Sequence, residues 1–297
     1  MKKLWIVTKN ELLRYFISPL AYVYLVAFLL LNGSFAVYFG HFVDRGIAGL
    51  GSMFAFQPWL YLLFIPGISM RLWAEEFRIP YETQPLDDDF NIRKEDYYKE
   101  NGGVIFPNPN APTGVEASQE MIEDILQHNQ DVIVIIDEAY VDFGAETALP
   151  LLEKYDNLIV VQTFSKSRSM AGMRIGYAMA SPELIKYLND VKYSFNSYTM
   201  DQTALDLGVA SINDQAYFEE TLHKIIQTRE RVKLRLTELG FTFRDSKSNF
   251  IFASHKSCPA EELFEKLKEK DIYVRYFKKP RIDNYLRIPI GTDAEMD

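Results

Sequence analysis

Two polar side chains that could do chemistry follow two apolar runs of the sequence. Residues 158–161 read L-I-V-V and lead to Lys166, and residues 132–136 read V-I-V-I-I and lead directly to Asp137. Short runs rich in β-branched residues are typical of buried strands in a parallel sheet. Open α/β sheets form their ligand crevice at the carboxyl ends of such strands, so we expect Lys166 and Asp137 to lie at one edge.

A lysine amine becomes a useful nucleophile when it forms a Schiff base. A pyridoxal phosphate site pairs such a lysine with an acid on the pyridinium nitrogen, and Lys166 and Asp137 could supply this pair. Taken alone, each of the two is better explained as an ordinary polar residue at the end of a buried strand. The cofactor hypothesis therefore depends on the motifs around them.

Four motifs surround the pair in a fixed order. They are N-P-N-A-P-T-G at 108–114, D-E-A-Y at 137–140, T-F-S-K at 163–166 and R-I-G-Y at 174–177. In order and spacing they resemble the fold-type I (class I/II) aminotransferases, most closely the histidinol-phosphate aminotransferases, over residues 79–297. The resemblance implies an α/β fold. Residues 79–230 would form an incomplete large domain with a mostly parallel sheet, and residues 231–297 a small, truncated α+β domain.

The resemblance also implies roles for individual residues. Lys166 would bind pyridoxal 5′-phosphate and move a proton during the reaction. Asp137 would keep the ring nitrogen protonated, and Tyr140 would donate a hydrogen bond to the phenolic oxygen of the ring. Ser165 and Arg174 would hold the cofactor phosphate.

Two further positions carry the rest of the expected site. Arg287 matches the arginine that clamps the substrate carboxylate, a task that suits a planar, bidentate guanidinium. The family usually places an asparagine directly before P-T-G, where this chain has Ala111. Asn110, one residue earlier, is the remaining candidate for a hydrogen bond to the ring oxygen.

The implied reaction is amino transfer from histidinol phosphate to 2-oxoglutarate, which gives imidazole-acetol phosphate and glutamate in histidine biosynthesis. The implied partners are amino acid and oxo acid substrates and a second copy of the chain in a homodimer. The net charge of −9 and the absence of a basic stripe argue against nucleic-acid binding. The four histidines show no ligand spacing, so we expect no metal site. The single Cys258 fits a cytoplasmic setting for this part.

The first 77 residues have a different composition. Residues 19–40 and 47–70 contain no charged side chain, and each run reaches the ~20 residues that a membrane-spanning helix needs. Basic residues precede the first run and follow the second, which predicts a transmembrane hairpin with cytoplasmic ends. The alternative is a buried helical hairpin in a soluble core. Residues 1–77 also resemble the amino-terminal part of an ATP-binding-cassette exporter permease of the gliding-motility type.

These two patterns meet between Phe77 and Tyr81. They predict a membrane-anchored chain whose aminotransferase part lies in the cytoplasm. Because residues 1–77 cannot supply the phosphate loop and ring-stacking aromatic of the family, we expect weak amino transfer by this chain alone. The other hypotheses are a permease fragment, or a chimera of two gene fragments with neither activity.

Overall fold

The computed structural model describes residues 19–39 and 82–297. The chain divides into two compact units, Met1–Thr83 and Gln84–Asp297. In the first unit, helix α1 (Pro19–Ser34) is followed by a π-helical turn at Phe35–Phe39. Its sequence is apolar on all sides, without an acidic residue in the first turn or a basic residue in the last.

The expected transmembrane hairpin finds no support. Within residues 19–39 and 82–297, no helix has the combination of length and apolarity that crossing a bilayer requires. Helix α1 and the π-helical turn after it lie inside the first expected span. The second expected span, residues 47–70, lies outside the described residues.

The second unit begins with a four-stranded sheet. Its strands are β1 (Val104–Pro107), β2 (Val134–Asp137), β3 (Leu158–Thr163) and β4 (Gly176–Ala180). They lie in the order β1-β2-β3-β4; the first three are parallel and β4 is antiparallel to β3. The register aligns Pro107, Asp137 and Val161 across the sheet. The parallel sheet expected from the two apolar runs is confirmed.

One face of this sheet forms the main core. Alternate residues of the parallel strands are buried there, and helix α2 (Gln119–Gln127) covers them with Ile122, Ile125 and Leu126. Each such side chain contributes about 1.5–3 kcal/mol by leaving water. The helix begins where its sequence predicts, because the Ser118 hydroxyl accepts a hydrogen bond from the Met121 amide at 3.3 Å.

Three helices connect the large sheet to a second one. They are α3 (Pro182–Phe195), α4 (Gln202–Asn213) and α5 (Gln215–Glu238), and α5 runs continuously across residue 230, where the sequence suggests a domain boundary. Ser181 stands at the N-cap position of α3, but its hydroxyl donates to the Asp156 carbonyl instead of capping the helix.

The second sheet is small and antiparallel. Its strands are β5 (Phe241–Phe243), β6 (Phe250–His255), β7 (Arg275–Tyr276) and β8 (Leu286–Pro289), in the order β5-β6-β8-β7. Helix α6 (Ala260–Lys268) lies between β6 and β7 in the chain, and a short helix α7 (Asp293–Met296) follows β8. A core of α5 and sheet residues, including Val232, Leu236, Ile251 and Ala253, holds this part together.

The turn after β1 packs closely against the turn before β6. Gly114 has a φ of +76°, a conformation that costs other residues energy, and a Cβ there would clash with the Ser246 hydroxyl and lie 2.9 Å from the Ser248 hydroxyl. The Lys247 amide also donates to the Gly114 carbonyl at 2.9 Å. This contact joins the N-P-N-A-P-T-G motif to the small sheet.

Replacing Gly114 with alanine should destabilise the chain, because the new methyl group meets both the backbone strain and the serine clash. We expect a loss of about 1–3 kcal/mol in the free energy of unfolding, measured by urea denaturation. Gly102→Ala is the matched control, because a Cβ at Gly102 has nothing within 4 Å. Equal stability of the two variants would contradict the close packing of the turns.

Candidate functional site

Parallel pairing brings the expected site residues to one edge of the large sheet. The Asn108 amide donates to the Asp137 carbonyl at 2.9 Å, and the Glu138 amide donates to the Val161 carbonyl at 2.8 Å. The three motifs that follow β1, β2 and β3 therefore begin side by side. The side chain of Asp137 accepts one hydrogen bond, from the Ala139 amide at 3.0 Å, and keeps acceptor capacity for a further donor.

Lys166 and Tyr140 are neighbours in this site. The Lys166 Nζ lies 5.2 Å from the centroid of the Tyr140 ring, a cation–π distance. The loops that carry them are joined by a hydrogen bond of 2.5 Å from the buried Ser167 hydroxyl to Asp142 Oδ2. The amine is thus held beside the phenol by Ser167, which follows Lys166, and by Asp142, two residues after Tyr140.

A chain of ring contacts leads from Tyr140 to the small sheet. The ring of buried Phe250 meets Tyr140 edge to face, with 5.2 Å between the centroids. The Arg287 guanidinium carbon lies 5.0 Å from the centroid of the same Phe250 ring. The structure therefore brings the predicted lysine, tyrosine and substrate-binding arginine into one continuous set of contacts.

Arg287 has a second cation beside it that the sequence analysis missed. Arg275 stands directly opposite Arg287 in the β7–β8 pairing, and both guanidinium carbons lie within 6 Å of the Phe277 ring centroid, at 5.6 and 5.8 Å. Like charges opposite each other destabilise a sheet. Among residues 82–297, neither arginine forms an ion pair with an acidic side chain. This arginine pair is suited to bind an anionic ligand.

Ser165 and Arg174 lie on opposite sides of the β3–β4 connection. The Phe164 amide donates to the Ile175 carbonyl at 3.1 Å. Because Ser165 follows Phe164 and Arg174 precedes Ile175, each of the two residues is adjacent in sequence to one partner of this hydrogen bond. The exposed Arg174 uses one Nη1 hydrogen bond to Ala171, at 3.0 Å, and a guanidinium has five N–H groups. Arg174 and Ser169 both have positive φ, at 55° and 54°, and strained backbone of this kind is concentrated at functional sites.

The two asparagines of the first motif differ in their engagement. Asn108 is buried and bonds the Ala117 backbone through both ends of its amide, at 2.7 and 3.1 Å, so it is a structural residue of the turn. The Asn110 carbonyl oxygen accepts the Thr113 hydroxyl at 2.8 Å. Its amide nitrogen is therefore the end that could serve a cofactor oxygen.

Glu138 was part of a predicted motif but had no predicted role. Its carboxylate is 1% exposed and accepts hydrogen bonds from the Ala148 amide, the Thr147 hydroxyl and the Gln162 amide, at 2.6, 2.7 and 2.8 Å. Burial raises the pKa of this carboxyl, although the three donors oppose the shift. Glu138 ties β2 to β3 behind the site.

This constellation defines a class of protein. The family model for aminotransferase class I and II matches residues 61–297. The chain belongs to that family.

Two similar relatives within this family are both histidinol-phosphate aminotransferases. The histidinol-phosphate aminotransferase of Lactococcus lactis subsp. cremoris (strain SK11) is 53% identical over 238 residues, covering 79% of this chain and 67% of that protein. The Brachyspira hyodysenteriae enzyme of the same name is 55% identical over 214 residues, covering 72% and 60%. The chain thus spans two thirds or less of the length of these relatives.

The chain is also similar to a solved structure of an enzyme with the same name. Histidinol-phosphate aminotransferase from Sinorhizobium meliloti in complex with pyridoxal-5′-phosphate has a TM-score of 0.64 and 25% identity, covering 73% of this chain and 61% of that one. Family and complex together identify pyridoxal phosphate as the cofactor. The donors present fit it: an amine, a carboxylate with a free lone pair, a phenol, and an exposed guanidinium with a hydroxyl.

The permease resemblance of residues 1–77 receives no support from these comparisons. The aminotransferase match starts at residue 61, inside the second expected membrane span. A charge-free run is a necessary property of a membrane helix, but buried segments of α/β enzymes share it. The boundary near Phe77–Tyr81 stays a prediction.

Glu138→Gln should change how stability depends on pH. The native carboxyl binds its proton more tightly than the unfolded one, so the native state holds more protons just above the ordinary pKa of 4.5. The free energy of unfolding therefore falls as pH rises through the raised pKa. We expect the stability of the wild type relative to Glu138→Gln to decrease as pH rises above 4.5 in urea titrations.

Glu220→Gln is the matched control, because the pKa of Glu220 is shifted in the opposite direction. The hydrogen bond from Lys224 lowers the pKa of the exposed Glu220, so its contribution to stability appears as pH rises. The stability of the wild type relative to Glu220→Gln should therefore increase, not decrease, toward neutral pH. If the stability of the wild type relative to Glu138→Gln stays constant or increases as pH rises, burial does not raise the pKa of the Glu138 carboxyl.

Proposed function

We propose that the chain carries out pyridoxal phosphate-dependent amino transfer, with histidinol phosphate and 2-oxoglutarate as the substrate pair. The observation that carries this proposal is the continuous contact from Lys166 through Tyr140 and Phe250 to Arg287. It supports a shared site that contains the Lys166 amine and the Arg287 guanidinium. The names of the Lactococcus and Brachyspira relatives support the choice of substrate.

The central roles belong to Lys166 and Asp137. The bound cofactor supplies an electron sink for the pair of electrons left when the substrate Cα loses its proton. Lys166 would hold the cofactor through Nζ, and as a free amine it would move the proton to and from the substrate Cα. The Asp137 carboxylate keeps a proton on the ring nitrogen. The Tyr140 ring beside Nζ keeps the amine oriented.

Anion binding falls to two groups of residues at the two ends of the site. Ser165 and Arg174 hold the cofactor phosphate, and Tyr140 with the Asn110 amide serves the ring oxygen. The arginine pair, Arg275 and Arg287, receives the charged group of the substrate. Two guanidiniums without an acidic partner suit the phosphate of histidinol phosphate as well as the carboxylate of 2-oxoglutarate.

Two further proposals concern the oligomeric state and the cellular compartment. A homodimer and a cytoplasmic setting for residues 79–297 follow from the family resemblance and from the lone Cys258. No observation in the described residues favours a transport function.

Sodium borohydride should fix the cofactor to Lys166 when the purified chain is incubated with pyridoxal phosphate. Peptide mapping by mass spectrometry would locate the label, and Lys166→Ala should lose it together with glutamate formation from histidinol phosphate and 2-oxoglutarate. Lys154→Ala, which removes a surface lysine paired with Glu123, is the control and should keep both. A label on another lysine, or none, would refute the cofactor role of Lys166.

A further inference from the structure

Arg229 is a buried cation in the middle of helix α5. It is 2% exposed, and its Nη1 donates to two backbone carbonyls, those of Phe143 at 2.7 Å and Ser248 at 3.0 Å. Its Nε donates to Glu230 Oε1 at 2.9 Å, and that glutamate is half-exposed. A buried charge is tolerated only when hydrogen bonds replace its hydration, so these carbonyls are required partners.

The two carbonyls belong to opposite sides of the site. Phe143 follows Tyr140 in the turn after β2, and Ser248 precedes Phe250 at the start of β6. The rings of Tyr140 and Phe250 meet edge to face between these two segments. Arg229 therefore holds the backbones from which the two central rings project.

The turn at 246–248 is held from two more directions. The Lys233 ammonium, on the same helix, donates to the Ser246 carbonyl at 3.3 Å. On the other side, the Gly114 carbonyl accepts the Lys247 amide. Helix α5 and the first motif thus fix the segment that leads into Phe250, and Arg229 is its link to the Tyr140 turn.

We propose that Arg229 is a positioning residue: by fixing the Tyr140 turn to the Ser248–Phe250 segment, it sets the placement of the arginine pair relative to Lys166. This inference rests on the proposed function. It is distinct from a role in stability alone, because Lys166 lies on a loop of the large sheet, whereas Arg287 is connected to Tyr140 through the Phe250 ring. Loss of Arg229 should weaken binding at the arginine pair much more than binding of the cofactor.

The test compares two affinities in the full chain. Glutarate, a dicarboxylate without an amino or oxo group, reports on the arginine pair by calorimetry, and Arg287→Gln defines which part of its signal comes from there. Pyridoxal phosphate binding is followed by absorbance. The variants are Arg229→Lys and Arg229→Ala, the latter with and without guanidinium at a non-denaturing concentration. Arg235→Lys is the matched control, an exposed arginine on the same helix that pairs with Glu238.

We expect glutarate affinity to fall about tenfold or more in both Arg229 variants, the size of losing a charged hydrogen bond, while cofactor affinity stays within about threefold. Guanidinium, but not sodium, should restore glutarate binding to Arg229→Ala, and Arg235→Lys should match the wild type.

Parallel loss of both affinities, failure of even Arg229→Lys to fold, or unchanged glutarate binding would each overturn the proposal. A wild type without glutarate binding would overturn it as well. The titration is repeated without cofactor. A wild type that binds glutarate but no pyridoxal phosphate would refute the proposed function and leave the Arg229 comparison valid.

Discussion

Parallel pairing of three short strands is the constraint on which the site depends. Because β1, β2 and β3 run in the same direction and are aligned at Pro107, Asp137 and Val161, their following loops emerge at one edge. Parallel strands cannot be joined by tight turns, so each loop is free to carry side chains instead of closing a hairpin. The motifs that contain Asn110, Tyr140 and Lys166 are adjacent for this reason.

A second layer of buried polar contacts converts adjacency into fixed geometry. Glu138 bonds Gln162 across β2 and β3, Ser167 bonds Asp142 between the loops, and Arg229 bonds carbonyls on both sides of the ring pair. Buried charges carry a cost of desolvation that only a complete set of hydrogen bonds offsets. Each contact therefore stabilises the arrangement only while its partners stay in place, which makes the site sensitive to small displacements.

The local features of the fold could be predicted from the sequence, and the contacts between distant segments could not. The apolar runs before Asp137 and Lys166 indicate buried strands, and Ser118 indicates a helix start, because these signals lie within a few residues. Arg275 was missed because its importance comes from standing opposite Arg287, and the strand register that pairs them is not visible in either segment. Arg229 lies in a helix with charged residues on every side, so nothing local marks it as buried. The membrane prediction finds no support in the described residues, and it inferred an environment from composition alone.

In the proposed reaction, Lys166 of the large sheet and the arginine pair of the small sheet serve one substrate. A comparison of kcat/KM for amino transfer from histidinol phosphate and from histidinol, which lacks the phosphate, in the wild type and in Arg275→Gln tests this directly. We expect the wild type to prefer the phosphate ester by about a hundredfold or more, because two unpaired guanidiniums would otherwise stay without an anion. We also expect Arg275→Gln to reduce this preference by about tenfold. Equal kcat/KM for the two substrates, or a preference that Arg275→Gln leaves unchanged, would contradict a shared site.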